Sequence, residues 1–431
     1  MLSKEKLVKP LNFSNFTVIL RLKVMTSISA ILNQLEGCLK SFFKHSTPKV
    51  NKTFVIDIME VLLLYLIMPQ RINFTQMGRF GQRNEQTYRN LFSRKFDWLR
   101  LNCYLAIHYF SECRGKKAIA IDPSYLSKSG KHTHGAGYFW SGTAGRAKYG
   151  LEILGISLIE TEAHQSMHLL AAQTPGPSEL KENGETLTDT YLKVISENQF
   201  MLKGMSNVIV ADAWFSKRPF VDGLLNTGFD LVSRLRNDAV LRYLFKGEQT
   251  GKRGRPKRFD GKIKVANIDM AHAELLEVPQ YEENFYCLEA YSVALKRNIK
   301  LVVAVDAKNN RRLYFSTDTN MSGEEIIEIY RCRFQCEFNY RDAKQFTGLC
   351  QCQARSKEKL HFAFNASLTA VNLAKIICKK HEWRYSIAKV KLLMFSAYQM
   401  NRFIGRYGFR PNKQLNAKIV KELFEQVDIA A

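Results

Sequence analysis

Four reactive side chains recur at helical spacing in the C-terminal third of the chain. They are Tyr330, Arg333, Glu337 and Lys344. At about 100° per residue they fall within an arc of about 60° on one helix face. A carboxylate, two cations and a phenol on one stripe suit a site that holds a metal ion and a phosphate backbone. A solvated, salt-bridged helix face is the alternative interpretation of the same stripe.

Two apolar runs upstream each end in an aspartate, and they favour the first interpretation. Ala118–Asp122 and Val208–Asp212 are rich in β-branched residues and predict short buried strands. The sites of open α/β sheets lie at the carboxyl ends of strands, where adjacent carboxylates repel unless a cation neutralises them. Asp122, Asp212 and Glu337 therefore predict an all-oxygen ligand set for a hard divalent ion, Mg²⁺ or Mn²⁺.

The spacing Y-x₂-R-x₃-E-x₆-K, which starts at Tyr330, resembles the YREK signature of bacterial insertion-sequence DDE transposases. The segments Ala-Ile-Asp-Pro-Ser-Tyr around Asp122 and Val-Ala-Asp-Ala-Trp-Phe around Asp212 resemble the same group. The resemblance covers about residues 115–350. It implies an α/β fold with an RNase H-like catalytic core, in which the first and fourth strands are neighbours and the two aspartates lie side by side.

The order of the elements agrees with that core. The patterns predict strands over 116–122, 151–159 and 167–173, a helix over 188–202, a strand over 207–214 that includes Trp214, a helix over 217–227 and a strand over 230–236. The long interval between Asp212 and Glu337 then predicts a β-rich insertion. The predicted regions are an N-terminal helical, DNA-end-binding region (1–112), the first part of the core (113–236), the insertion with a basic loop (237–320), the second part of the core with the YREK helix (321–380) and a C-terminal helical region (381–431).

The carboxylates suit phosphodiester chemistry. Attack on a phosphodiester builds charge on the attacking and leaving oxygens, and two metal ions about 4 Å apart stabilise both. We expect Asp122 to bridge two ions, Asp212 to hold one and Glu337 the other. The predicted function is a cut-and-paste DNA transposase that binds terminal inverted repeats, cleaves double-stranded DNA at the element ends and joins 3′-hydroxyls to target DNA. Two ends must be paired, which predicts a homodimer. A metal-dependent nuclease without joining activity and a catalytically silent DNA-binding protein are the alternatives.

The predicted DNA contacts are cations and aromatic rings on five segments. The glycine-rich connection Gly130–Gly150 is predicted to be a flexible basic loop beside Asp122 that contacts phosphates. Asn73–Gly81 with Asn84–Phe92 predicts a helix-turn-helix. Gly251–Arg258 contains Arg-Gly-Arg-Pro, which resembles an AT-hook, and a basic loop that only grips phosphates is the alternative. For Trp214, packing is the first expectation and base stacking the second. The predicted contacts are Tyr330, Arg333, Lys344, Trp214, Arg253, Arg255, Lys257, Lys128, Arg146, Lys148 and Arg89.

The composition favours a polyanionic partner. The chain has 431 residues with 64 Lys+Arg and 40 Asp+Glu, so its net charge is +24. The most apolar run, Phe54–Met68, is shorter than the roughly 20 residues of a membrane span and contains Asp57 and Glu60. We therefore expect a cytoplasmic protein with no membrane partner and no small-molecule cofactor.

The nine cysteines lack a disulfide framework and predict reduced thiols. Four of them lie near Glu337 in the sequence: Cys332, Cys336, Cys350 and Cys352. Their spacing is unlike that of common zinc sites. Buried thiols that act as small apolar residues are therefore the expectation, and a zinc site is the alternative.

Overall fold

A computed structural model describes residues 37, 39–44, 51–69, 71–249 and 255–407. The helices are α1 (Lys52–Ile67), α2 (Phe74–Phe80), α3 (Glu85–Leu91), α4 (Trp98–Tyr109), α5 (Pro177–Asn183), α6 (Leu187–Glu197), α7 (Gln199–Lys203), α8 (Arg218–Asn226), α9 (Gly323–Cys332), α10 (Gln335–Gln345), α11 (Lys357–Lys380) and α12 (Ile387–Tyr407). Residues 39–44 are also helical, and residues 213–215 form a 3₁₀ turn.

The strands are β1 (Lys117–Ser127), β2 (Gly137–Ser141), β3 (Arg146–Glu160), β4 (Gln165–Gln173), β5 (Val208–Val210), β6 (Asp230–Leu235), β7 (Leu241–Leu244), β8 (Phe259–Lys262), β9 (Glu274–Leu276), β10 (Asn284–Ser292), β11 (Arg297–Val305) and β12 (Arg311–Ser316). The chain forms two compact units. The helical unit comprises residues 1–109, 126–134 and 339–431, and the sheet unit comprises 110–125 and 135–338.

The sheet unit is built on one twelve-stranded mixed sheet. Its strand order is β2-β3-β1-β5-β6-β12-β11-β10-β7-β8, with β4 paired to β3 and β9 paired to β10. The central pairs β1–β5 and β5–β6 are parallel. The predicted α/β core is confirmed, and its first and fourth predicted strands, β1 and β5, are neighbours. The strands of the predicted insertion continue the same sheet because β12 pairs with β6.

The helical unit is centred on α11. This helix is long and apolar enough to cross a membrane, but 94% of its most apolar window is buried inside the protein. Asn102 on α4 accepts hydrogen bonds from Thr369 Oγ1 (3.1 Å) and Asn372 Nδ2 (3.0 Å) on α11. Satisfied polar groups of this kind are typical of a core helix in a folded domain. The predicted N-terminal and C-terminal helical regions both contribute to this unit.

Three predicted elements were wrong in detail. The glycine-rich segment 130–150 is not a flexible loop throughout, because β2 pairs with β3 from Gly137↔Gly150 to Ser141↔Arg146 and buries Phe139. The predicted helix over 188–202 ends at Asn198, whose side-chain amide donates to the Val194 carbonyl (2.7 Å), and α7 follows. The predicted strand over 207–214 shortens to the three residues of β5.

Candidate active site

Strand register places the two predicted aspartates side by side in the sheet unit. β1 and β5 run parallel with Ile119 opposite Ile209 and Ala120 opposite Val210. Continuing that register by two residues brings Asp122 opposite Asp212. Adjacent strands are about 4.8 Å apart, and opposite side chains point to the same face of a sheet. The fold therefore concentrates two negative charges where the parallel pairing of β1 and β5 ends. The prediction that the first strand ends at Asp122 was wrong, because β1 continues to Ser127.

Asp212 lies two residues beyond the last residue of its own strand, β5. Its Oδ1 accepts a hydrogen bond from the backbone N–H of Trp214 at 3.0 Å, which caps the 3₁₀ turn over 213–215. The prediction that Trp214 lies on a strand was therefore wrong, because this cap turns the chain out of the sheet. Trp214 packs edge-to-face on Tyr191 and Phe215 and remains 37% exposed. The Lys217 ammonium lies 3.7 Å from its ring centroid.

The third predicted carboxylate approaches on a helix pair instead of one helix. α9 begins after Ser322, whose Oγ accepts from Glu325 N at 3.2 Å, and it buries Ile326 and Ile329 in the core. It ends at Cys332, and α10 begins at Gln335. The prediction of a single helix was wrong because the backbone tightens between them.

The tight segment is closed by hydrogen bonds that span three residues. Cys336 N donates to Arg333 O (3.0 Å), and Glu337 N donates to Phe334 O (3.1 Å). Such bonds wind the chain more tightly than an α-helix does. Tyr330 consequently lies on α9, Arg333 at the junction, and Glu337 on α10. Lys344 lies in the part of α10 that belongs to the helical unit.

Arg333 joins two of the three carboxylates. Its Nη1 lies 3.4 Å from Asp122 Oδ1, and its Nη2 lies 3.0 Å from Glu337 Oε1. The guanidinium side chain is 13% exposed, and Glu337 is 37% exposed. Burial lowers the pKa of Arg333, but the acidic groups around it, Cys336, Asp122, Tyr330 and Glu337, outweigh burial and raise the pKa above its ordinary value. Arg333 therefore remains charged between the two carboxylates.

Arg234 is a further cation at this site, and the sequence analysis did not predict it. Val210 pairs with Val232, so Arg234 on β6 lies opposite Asp212 when the register is continued by two residues. Its Nε is buried and has no hydrogen-bond partner among the described residues. An arginine in a largely buried strand, Asp-Leu-Val-Ser-Arg-Leu, was the available signal.

Tyr330 and Arg234 lie near one another above the sheet. Tyr314 on β12 is the register partner of Arg234, and its ring centroid lies 4.8 Å from that of Tyr330. Burial raises the pKa of Tyr330, while the positive charges of Arg333 and Arg234 act in the opposite direction. The phenol is therefore neutral at physiological pH and able to donate a hydrogen bond.

A buried, hydrogen-bonded pair of a carboxylic acid and a phenol packs against the turn that follows Asp212. Tyr191 on α6 donates its hydroxyl hydrogen to Glu152 Oε1 on β3 at 2.6 Å. Burial raises the pKa of Glu152, and the hydrogen bond from Tyr191 lowers it. Because Tyr191 also packs on Trp214 and Phe215, the pair fixes the turn that Asp212 caps.

The remaining predicted contacts are dispersed over the two units. In the sheet unit, Arg146 and Lys148 are exposed on β3, and Arg255 is exposed, whereas Lys257 pairs with Asp260 at 2.9 Å. In the helical unit, Lys128 donates to the carbonyls of Cys352 and Ala354.

The predicted helix-turn-helix is formed by α2 and α3, each capped by an asparagine side chain. On α3, Arg89 donates its Nε–H to Glu85 at 3.0 Å and lies over the Phe74 ring. Arg253 lies outside the described residues. All of these DNA contacts stay predictions.

No three His, Cys, Asp or Glu side chains gather closely enough to hold a metal ion in the part of the chain that the structure describes. The donor chemistry nevertheless suits a divalent cation. Asp122 and Asp212 each lie two residues beyond the register pair Ala120↔Val210, and Asp122 and Glu337 both contact one cation, the Arg333 guanidinium. All the candidate ligand atoms are carboxylate oxygens, which Mg²⁺ and Mn²⁺ prefer.

The four clustered cysteines are free thiols. Cys332 Sγ donates to the Glu160 carbonyl at 3.4 Å, and burial raises the pKa of all four thiols. Cys332 and Cys336 are buried, and protonated thiols in such positions act as small apolar residues, whereas Cys350 and Cys352 are half-buried.

Comparison with known proteins gives the family. No curated protein matches the chain. The family described as transposase DDE domain matches residues 115–373, which is more than half of the chain and contains β1, β5 and the α9–α10 pair. A match of that extent, over a fold with the two aspartates in register, identifies the chain as a member of the transposase family that carries a DDE domain.

Proposed function

We propose that this chain is a cut-and-paste DNA transposase of the YREK group, with Asp122, Asp212 and Glu337 as its catalytic carboxylates. The observation that carries the proposal is their convergence: two aspartates in register, and a glutamate held to one of them through Arg333. Asp122 and Asp212, 90 positions apart, each lie two residues beyond the register pair Ala120↔Val210, and Glu337, a further 125 positions along, shares the Arg333 guanidinium with Asp122. Catalytic sites of open α/β sheets lie at the carboxyl ends of their strands.

The three carboxylates would hold two Mg²⁺ ions, for which Mn²⁺ can substitute. Ions bound there would supply Lewis-acid stabilisation of the charge that builds on the oxygens of the attacked phosphodiester. The protein's own contribution is to hold the carboxylates in place. The cap from Trp214 N orients Asp212, and the buried residues of α9 fix the approach of Glu337. Such preorganisation lowers the cost of assembling a charged site during the reaction.

Cations around the carboxylates would hold the DNA backbone. Arg234 has a buried Nε with no partner among the described residues, which suits a phosphate oxygen. Tyr330 and Arg333 would contact phosphates close to the scissile bond, and Trp214 is exposed enough to stack on an unpaired base. Exposed Arg146 and Lys148 would grip the flanking duplex.

The helical unit would recognise the element ends. Its α2–α3 pair has the short helices and tight turn of a helix-turn-helix, and α3 carries Arg89. Gln82 N in the turn donates to buried Glu60, so the turn is anchored to α1. We further propose that the five predicted regions act as one DNA-binding enzyme in the cytoplasm, and that it pairs two ends as a homodimer.

The proposal is tested with a labelled duplex that carries the element end, incubated with protein and Mg²⁺ or Mn²⁺. We expect cleavage at the boundary and joined products. Asp122→Asn, Asp212→Asn and Glu337→Gln should each lower the rate by about a thousandfold or more, because each removes a metal-ligating charge. Glu324→Gln, an exposed glutamate on α9, is the matched control and should retain activity.

The outcomes separate the alternatives. Cleavage without joined products would indicate a nuclease. Binding of the duplex without cleavage, under both metals, would indicate a silent DNA-binding protein. Wild-type rates in any of the three carboxylate variants would remove that residue from the catalytic set.

A further inference from the structure

Arg333 lies where a cation is needed between catalytic carboxylates. Its two terminal nitrogens contact different acids, Asp122 at 3.4 Å and Glu337 at 3.0 Å. The fork of the guanidinium suits this bridging role, since each nitrogen donates separately. The side chains of Arg333 and Asp122 are 13% and 19% exposed, so water screens this ion pair weakly, whereas Glu337 is 37% exposed and its pair is screened more.

The two contacts differ in what they require of the fold. Glu337 is four residues from Arg333, so their contact forms within the α9–α10 junction. Asp122 is 211 residues away, so its contact forms only when β1 and the helix pair are assembled. Arg333 thus connects the glutamate to the sheet, and without it two acids would face each other unneutralised.

A divalent ion held by Asp122 and Glu337 would bind the same two carboxylates that Arg333 pairs with. Asp122 Oδ1 and Glu337 Oε1 are the atoms that Arg333 contacts. The positive charges of the guanidinium and of a divalent ion repel each other, so each would weaken the binding of the other to these carboxylates.

We propose that Arg333 is an internal counterion of the catalytic site, which bridges Asp122 and Glu337 in the metal-free protein and leaves them when a divalent ion binds. The inference rests on the proposed function, since it takes these carboxylates as metal ligands. Arg333 then acts as a positioning residue before metal binding and is released toward the phosphate backbone afterwards. Metal affinity and the Arg333 bridge are therefore in competition.

The test measures Mn²⁺ binding in the absence of DNA. The electron paramagnetic resonance signal of unbound Mn²⁺ gives the concentration of free ion. Arg333→Gln removes the competing charge, and we expect it to tighten Mn²⁺ binding by about tenfold or more. The same variant should unfold at a lower temperature than wild type in EDTA, and Mn²⁺ should raise its unfolding temperature by more than it raises that of wild type. Both readouts are independent of catalytic activity.

Matched variants control for charge and folding. Arg331 lies two residues from Arg333 and pairs with Glu283, which is not one of the candidate metal ligands. Arg331→Gln should therefore leave Mn²⁺ affinity unchanged. Arg333→Lys keeps the charge but not the fork, so it should tighten Mn²⁺ binding by less than Arg333→Gln. If Arg333→Gln does not fold, as judged by circular dichroism, the lysine variant decides the question.

The failures of the two proposals are distinguishable. Mn²⁺ affinity that is unchanged or weaker in the folded Arg333 variants would overturn the counterion role. If Asp122→Asn and Glu337→Gln lose Mn²⁺ binding in the same experiment, the metal assignment still stands. Unchanged Mn²⁺ affinity in Asp122→Asn and Glu337→Gln would instead overturn the metal assignment, and the counterion inference with it.

Discussion

A buried lysine in the helical unit makes the free energy of unfolding depend on pH. Replacing this lysine should stabilise the protein at low pH and destabilise it at high pH. Lys391 on α12 is 8% exposed. Its Nζ donates to the carbonyl of Tyr65 at 2.8 Å, in the last turn of α1, where backbone carbonyls lack helical partners. Burial lowers the pKa of Lys391 from 10.5 to about 7. The ammonium is therefore expensive to bury although it caps a helix.

The direction of the pH effect follows from proton counting. Below pH 7 Lys391 is charged in both the folded and the unfolded chain, so the folded state bears the full desolvation cost. Between about pH 7 and pH 10.5 the folded lysine is neutral while the unfolded one is charged. The unfolded chain then binds more protons, and the stability of the wild type rises with pH.

The structure also sets the magnitude. A fall of the pKa from 10.5 to about 7 corresponds to about 5 kcal/mol of destabilisation below pH 7. Lys391→Met removes that cost but also leaves the Tyr65 carbonyl without its hydrogen bond, which costs about 1–3 kcal/mol. We expect the variant to be about 2–4 kcal/mol more stable than wild type at pH 6 and about 1–2 kcal/mol less stable at pH 10.

Urea unfolding followed by far-UV circular dichroism at pH 6, 8 and 10 measures this reversal. Lys380→Met, which changes an exposed lysine of the same unit, is the control and should differ little from wild type at every pH. A difference between Lys391→Met and wild type that is the same at all three pH values would refute the reasoning. A destabilised variant at pH 6 would refute it as well.

Three further substitutions test single contacts. Tyr88→Phe removes the 2.6 Å hydrogen bond to buried Glu60 and should cost about 2 kcal/mol at pH 7. Burial raises the pKa of Glu60, so stability falls as the pH rises through that pKa, and the variant should steepen this fall in pH-dependent urea unfolding. Tyr191→Phe breaks the equivalent bond to Glu152 and should cost about 2 kcal/mol in thermal unfolding. Arg234→Gln should weaken binding of an element-end duplex by about tenfold in fluorescence anisotropy at fixed salt.

Each of these substitutions has an exposed counterpart. Tyr138→Phe is the control for both tyrosine variants, because its ring lies on the exposed face of β2. Arg236→Gln is the control for Arg234, since it removes a charge two residues later that pairs with Asp238 near solvent. Equal losses in a variant and its control would contradict the specific contact. A pH-independent cost of Tyr88→Phe would contradict the part assigned to Glu60.

Local sequence signals predicted the core elements because those elements depend on short-range chemistry. The β-branched runs before Asp122 and Asp212 are strands in the structure, and the first and fourth predicted strands are neighbours. The asparagines before α2 and α3 cap those helices as the turn pattern indicates. The spacing of Arg333 and Glu337 also produced their contact, since it needs only one helical turn.

Other features escaped prediction because they depend on contacts between distant segments. The segment around β2 reads as a flexible loop, and it becomes a strand only when Phe139 is buried and Tyr138 meets Tyr149 across the hairpin. Trp214 leaves the sheet because the Asp212 side chain caps the next turn. Hydrophobic periodicity carries no information about such a cap.

The sequence by itself determined which residues are candidates for the chemistry: two aspartates that each end an apolar run, a glutamate four residues after an arginine, and a family match across residues 115–373. Tertiary structure alone decided how they meet. Register between β5 and β6 brought Arg234 opposite Asp212, and assembly of the sheet with the α9–α10 pair directed Arg333 to Asp122, 211 residues away. The physical reason is that spacing along the chain sets which groups share a turn or a strand face, whereas the partner of a charged side chain is set by which segments the buried core packs together.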